Sequence, residues 1–206
     1  APPGTQTFLA AVDQLPSDAP SGGAEPTLRG HIPGITLAQL TAAFMRNEDW
    51  PVARFNTEVL KAKDMRASPW SEGRRVPGSL VRRLQFSFPA PDNTPRMVQR
   101  LIGLPEWMDS SMLVRMKTTE DQLTLVMSTC SHNVPYGECS RIEDRLHFTP
   151  DAARGGVAVA KWIGLVWVKS LPWALGPAAG FLEKQVHDQA KETWGKFQAH
   201  LRACAS

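Results

Sequence analysis

One helix constrains everything else in this chain. Between residues 178 and 203 the apolar residues Leu182, Val186, Ala190, Trp194, Phe197 and Leu201 recur at three- and four-residue spacing, while Glu183, Lys184, Asp188, Lys191, Glu192 and Lys196 take the opposite side. A long helix with a single apolar stripe needs a partner for that stripe. Upstream, segments of alternating polarity are separated by turn residues, the signature of an antiparallel meander. They run over 58–67, 80–88, 96–107, 112–116, 123–129, 140–148 and 157–168. Before them, an extended stretch at 27–32 leads to Thr36, which can cap a short helix bearing Leu37, Leu40 and Phe44, and a second short helix can begin near Trp50. The expectation is an α+β fold: a curved antiparallel sheet wrapped around a long C-terminal helix, with two short N-terminal helices.

Residues 1–26 are rich in Pro, Gly, Ala and Ser and are predicted to be a disordered linker, because that composition buries too little apolar surface to order itself. Residues 27–206 form the expected domain, large enough for one core. A net charge of +3 gives no case for nucleic acid as a partner and only a slight bias towards anionic membrane surfaces. The most apolar stretch, 157–181, is broken by Lys161, Lys169 and Pro172 and is too short between breaks to span a bilayer. Three cysteines, Cys130, Cys139 and Cys204, cannot all pair, and no C-x-x-C or N-x-[S/T] motif occurs, which favours a reducing compartment. A chain that opens at Ala1 without a charged-then-apolar leader reads as a segment of a larger protein.

Catalytic signatures are missing from the sequence. The five histidines show no metal-ligand spacing among themselves or with cysteine, and no nucleophile elbow, dinucleotide loop or phosphate loop occurs. No metal, no cofactor and no enzymatic activity are expected. A triad assembled in space from Cys130 and His132 or His147 stays open beside the plainer reading of a small buried Cys next to an exposed His. One residue stands against its pattern. Period two places Asp144 and Ser140 on the same face as Ile142, Leu146 and Phe148, and a carboxylate among apolar neighbours needs a basic partner, a water chain or a ligand hydroxyl.

The segment 157–168 carries Lys161 on one face, which makes Ala158, Ala160, Trp162, Gly164 and Val166 the expected interior. Small side chains opposite a helix either admit it closely or leave a void. Large adaptable side chains elsewhere favour the void: Leu84, Phe86 and Phe88 on one segment, Leu125 and Met127 on another, with Met97 and Trp107 available. The candidate ligand-binding residues are these seven with Ala160, Ser140, Ile142, Asp144, Trp70 and Val186; Trp162 completes the set.

Several of these segments carry a resemblance. Asn133-Val134-Pro135-Tyr136-Gly137 before a strand, with Ser128 and Thr129 upstream, resembles the D-V-P-Y-G turn of VASt domains, the StAR-related lipid-transfer modules of the Aster and yeast Lam type. Pro69-Trp70 followed by Arg82-Arg83-Leu84-Gln85-Phe86, and Val166-Trp167-Val168-Lys169-Ser170 leading to Phe181-Leu182-Glu183-Lys184-Gln185, fit in the same order. Asn133 departs from the family's Asp, and the loop 171–180 with Trp173 is longer and more apolar. The resemblance implies a helix-grip (START-like) fold that takes one sterol or other apolar lipid into an internal cavity and moves it between membranes. It also implies a monomeric module of a membrane-anchored protein on the cytosolic face of endoplasmic reticulum contact sites. The turn 68–78 is the candidate lid, with Trp70, Arg74, Arg75 and Trp173 as membrane-contact residues. Two other readings stay open: a sensor of anionic phospholipids that carries nothing, and a helix-grip enzyme using Asp144 with a nearby His.

Overall fold

The computed structural model describes residues 15–18, 24–90, 103–135, 137–170 and 176–206. In chain order these are β1 (Leu28–Pro33), α1 (Leu37–Met45), α2 (Pro51–Glu58), β2 (Lys63–Ala67), β3 (Ser71–Glu72), β4 (Ser79–Pro89), β5 (Trp107–Thr118), β6 (Leu123–Ser131), a 3-10 turn (Gly137–Cys139), β7 (Ser140–Pro150), β8 (Gly156–Trp167) and α3 (Gly176–Ala205). The strands form one antiparallel sheet in the order β1-β8-β7-β6-β5-β4-β2, with β3 paired to β4. With α3 across it and two short helices before the meander, this is the helix-grip arrangement expected.

Local chemistry sets the boundaries. Thr36 accepts from the Gln39 amide while the Gln39 side chain accepts from the Thr36 amide, closing a capping box at the start of α1. Pro51 opens α2 where its missing N–H costs nothing. That helix runs to Glu58, so the strand expected from 58 begins only at Lys63. The segments expected at 96–107 and 112–116 also change: β5 is one strand from Trp107 to Thr118, with Ser110 opposite Phe86 and Ser111 opposite Gln85. Residues 96–102 lie outside the described residues.

Register sorts the side chains between two faces. Arg82, Leu84 and Phe86 of β4, Met112, Val114 and Met116 of β5, Leu123, Leu125 and Met127 of β6, and Leu146 and Phe148 of β7 point to the concave side. There they meet Leu40 and Phe44 of α1 and Trp194, Phe197 and Leu201 of α3 in the main core. α3 also fastens the outer edge of β1: Trp194 Nε1 donates to the Arg29 carbonyl at 2.9 Å, and Gln198 Oε1 accepts from the His31 amide at 2.9 Å.

The convex side is partly covered. Leu15 packs on Val81, Val126 and Leu113. Arg115, itself 4% exposed, pairs with Asp18 at 2.7 Å and donates to the Pro16 carbonyl. Arg145 donates to the Ser17 carbonyl and His147 meets that of Asp18. These residues belong to the stretch expected as a linker; residues 1–14 and 19–23 of it lie outside the described residues.

Candidate functional site

Coverage of the concave face is uneven. At one end, Leu125, Leu146, Phe148 and Val157 have no exposed surface and share a core with α1 and the second half of α3. The first half of α3 runs back along β8, from Glu183, which accepts from Trp167 Nε1 at 2.9 Å, towards Trp194. Here the apolar side chains are only half-buried: Leu182 and Val186 on the helix, Ile163 and Leu165 on β8, Ile142 on β7 and Phe88 on β4. Apolar walls that face one another without closing are where an apolar molecule gains most by entering.

A polar pair stands where the closed end meets the open one. Lys161 Nζ donates to Asp144 Oδ2 at 2.6 Å, with the two side chains 13% and 15% exposed. The ammonium lies 6.0 Å from the ring of Trp194 and 5.7 Å from that of Phe197, so α3 roofs the pair with aromatic faces. Asp144 Oδ1 is buried and has no hydrogen-bond partner. Burial pushes the Asp144 carboxyl above the ordinary carboxylate range, against the opposing pull of Lys161 and Arg145. The pair therefore presents one satisfied oxygen and one free acceptor to a mostly apolar space.

Of the candidates read from sequence, Leu84, Phe86, Phe88, Leu125, Met127, Ser140, Ile142 and Asp144 share the concave face by register, and Val186 lies on the stripe of α3 above it. Three do not. Ala160 and Trp162 point to the convex side, where Trp162 packs on His147 at 4.8 Å and donates to the Ala24 carbonyl. The interior of β8 is the other set, Val157, Val159, Lys161, Ile163 and Leu165; the lysine that marked the solvent face is inside because Asp144 neutralises it. Trp107 also lies on the convex side, under the ammonium of Lys63 at 3.6 Å. Met97, Tyr136 and Trp173 lie outside the described residues.

Trp70 is no outlying tip: it is half-buried, edge to face with Trp50 at 5.8 Å, and its amide donates to Asn47 Oδ1. Arg74 and Arg75 are exposed on the turn beyond it. The concave Lys161, Ile163 and Leu165 were missed, yet a signal existed: the odd positions of 157–167 carry the larger aliphatic residues, and Asp144 called for a basic partner.

The combinations of Cys130 with His132 or His147 do not assemble. The Cys130 thiol takes a hydrogen bond from Arg141 at 3.1 Å and is pushed up chiefly by burial, while His132 bonds Ser111 and His147 faces Asp18. Among the described residues no cluster of three or more His, Cys, Asp or Glu could hold a metal ion, and no helix is long and apolar enough to cross a membrane.

A curved antiparallel sheet gripping a C-terminal helix over an incompletely covered apolar face defines the helix-grip class of fold. The family model described as "VAD1 Analog of StAR-related lipid transfer domain" matches residues 34–189, well over half of the chain, and the chain belongs to this VASt family. The match takes in both short helices, β2 to β8 and the first half of α3, the elements that build the open end of the site. Comparison with curated proteins finds no match.

Proposed function

We propose that the domain carries one sterol-like lipid between membranes, holding its apolar body between α3 and the concave sheet and its hydroxyl at Asp144. The observation that carries this reading is the buried, unpartnered Oδ1 of Asp144 beside apolar walls that are only half-covered. A hydroxyl can donate to that oxygen, whereas a headgroup phosphate would meet a carboxylate of its own sign. Burying several hundred Å² of lipid returns on the order of 10 kcal/mol of gross apolar gain at about 25 cal/mol per Å², and leaving a bilayer forfeits a similar amount. Such a carrier works near balance and releases as readily as it loads. The cytosolic face of endoplasmic reticulum contact sites, as the setting for this exchange, belongs to the same proposal.

Titration with a fluorescent sterol, read by energy transfer from the seven tryptophans, tests it. The expected result is saturable binding that ionic strength does not weaken, accompanied by faster sterol exchange between liposomes. Replacing both members of the pair, Asp144→Leu with Lys161→Met, removes the polar anchor without stranding a charge and is expected to weaken sterol binding about tenfold, the worth of one buried hydrogen bond. Equal sterol affinity in the double variant would show that Asp144 is not the anchor. Binding confined to anionic liposomes at low salt would favour the sensor reading, for which exposed Arg66, Arg74 and Arg75 are the supporting feature.

A further inference from the structure

Arg82 sits on the concave side of β4 and is 1% exposed, although no carboxylate among the described residues pairs with it. Its guanidinium donates to the carbonyls of Arg46 at 3.3 Å and Asn47 at 3.1 Å, in the turn between α1 and α2. The rings of Trp50 and Trp70 stand 5.2 and 4.9 Å from its central carbon. Cation–π attraction offsets part of the desolvation, yet it leaves the ring edges unused. Arg82 Nε, Trp50 Nε1 and Trp70 Nε1 are all buried and all without a hydrogen-bond partner.

Orphaned buried donors are rare, and three in one cluster are rarer. All three can only donate, and the cluster carries a full positive charge that burial makes harder to keep. An arrangement of that kind complements an anionic oxygen and repels a cation. Glu48 and Asp49 in the turn between α1 and α2 and Glu72 of β3 are exposed, and burial alone, with no acidic neighbour, acts on the Arg82 guanidinium. Of the two rings, Trp50 is 1% exposed and Trp70 is half-buried, so the Trp70 side of the cluster, with exposed Arg74 on the turn beyond it, lies nearer to solvent.

We propose that Arg82, Trp50 and Trp70 form an oxyanion site that accepts one phosphate or carboxylate oxygen. It is separate from the lipid anchor: Arg82, Val114, Met127 and Asp144 are successive partners across four strands, which puts the two polar groups three strand spacings apart, roughly 14 Å along the sheet. The oxygen comes either from free phosphate or from a lipid headgroup.

Indole N–H resonances of ¹⁵N-labelled protein, followed during titration with inorganic phosphate at constant ionic strength, test the site. The signals of Trp50 and Trp70 are expected to move together and saturate while the other five stay in place. Trp70→Phe keeps a ring beside Arg82 but removes one donor; it is expected to weaken phosphate binding about tenfold or more with an unchanged melting temperature. Vesicles of phosphatidylcholine with and without phosphatidic acid distinguish the sources. A matching loss of phosphatidic-acid-dependent binding in Trp70→Phe identifies the headgroup; a loss towards soluble phosphate alone identifies the free anion. Absence of saturation at Trp50 and Trp70, uniform drift of all seven signals, or undiminished phosphate affinity in Trp70→Phe would overturn the proposal.

Discussion

Lys161→Met lowers the stability of the domain by about 3–5 kcal/mol at neutral pH, because it strands a buried carboxylate whose second oxygen already lacks a partner. The loss is pH-dependent, and its sign follows from the carboxyl. In the folded protein the Asp144 carboxyl is raised above its ordinary value by burial, and removing Lys161 takes away the main influence holding it down. A carboxyl raised on folding favours the folded state while both states are protonated, and that contribution is lost as pH rises through the folded value. Urea unfolding of the variant is therefore expected to show a deficit against the native protein that is small near pH 4 and grows towards pH 8. A deficit that does not change with pH would mean that Asp144 is not the stranded group. Adding Asp144→Leu to the same chain should recover most of the stability, since an apolar pair replaces an ionic one at little cost. That double variant is the one used for sterol binding, so its fold can be verified before its affinity is read.

Phe148→Ala is expected to cost about 3–5 kcal/mol and to lower the melting temperature by roughly 10 °C. Phe148 is fully buried, lies between Leu123 and Val159 in register and packs on Phe44 at 5.7 Å, which ties α1 to the closed end of the sheet. The cavity left there would have rigid walls: strand neighbours on both sides and a helix above. Val186→Ala, at the open end, removes a half-buried side chain and is expected to cost less than about 1 kcal/mol. Denaturant midpoints of the two variants compare the ends of the site directly. Equal losses would show that the concave face is packed uniformly, contrary to the uneven coverage described above.

How far the sequence is legible depends on how many residues share each signal. The stripe of α3, from Leu182 to Leu201, repeats over about five turns, and no single residue can obscure it. The strands are shorter, so one polar residue can mislead. Asp109, Ser110 and Ser111 interrupt the apolar alternation of β5 and split it in two when read without its partners, although Ser110 is buried opposite Phe86. Lys161 inverted the reading of β8 because a lone lysine usually marks water; only its position across from Asp144 shows otherwise. β3, at two residues, has no pattern to read. Arg82 was legible as part of a basic strand but not as a buried group, since the rings that enclose it come from two separate turns. In each case what was hidden is a pairing between residues far apart in the chain.

The fastening of α3 to β1 bears on how this molecule tolerates its own copies. A sheet that does not close into a barrel ends in strands whose peptide groups can template a neighbour. On β1 the two groups that would start such a ladder, the Arg29 carbonyl and the His31 amide, are already occupied by Trp194 and Gln198. Gly30 between them makes this possible: a Cβ there would lie 2.2 Å from Gln198 Oε1. Both occupying side chains come from the well-packed second half of α3, so the shielding of this edge does not depend on the half-buried first half. In the carrier proposed above, ladder growth at these two groups of β1 is therefore blocked by side chains that do not belong to the half-buried wall of the lipid site.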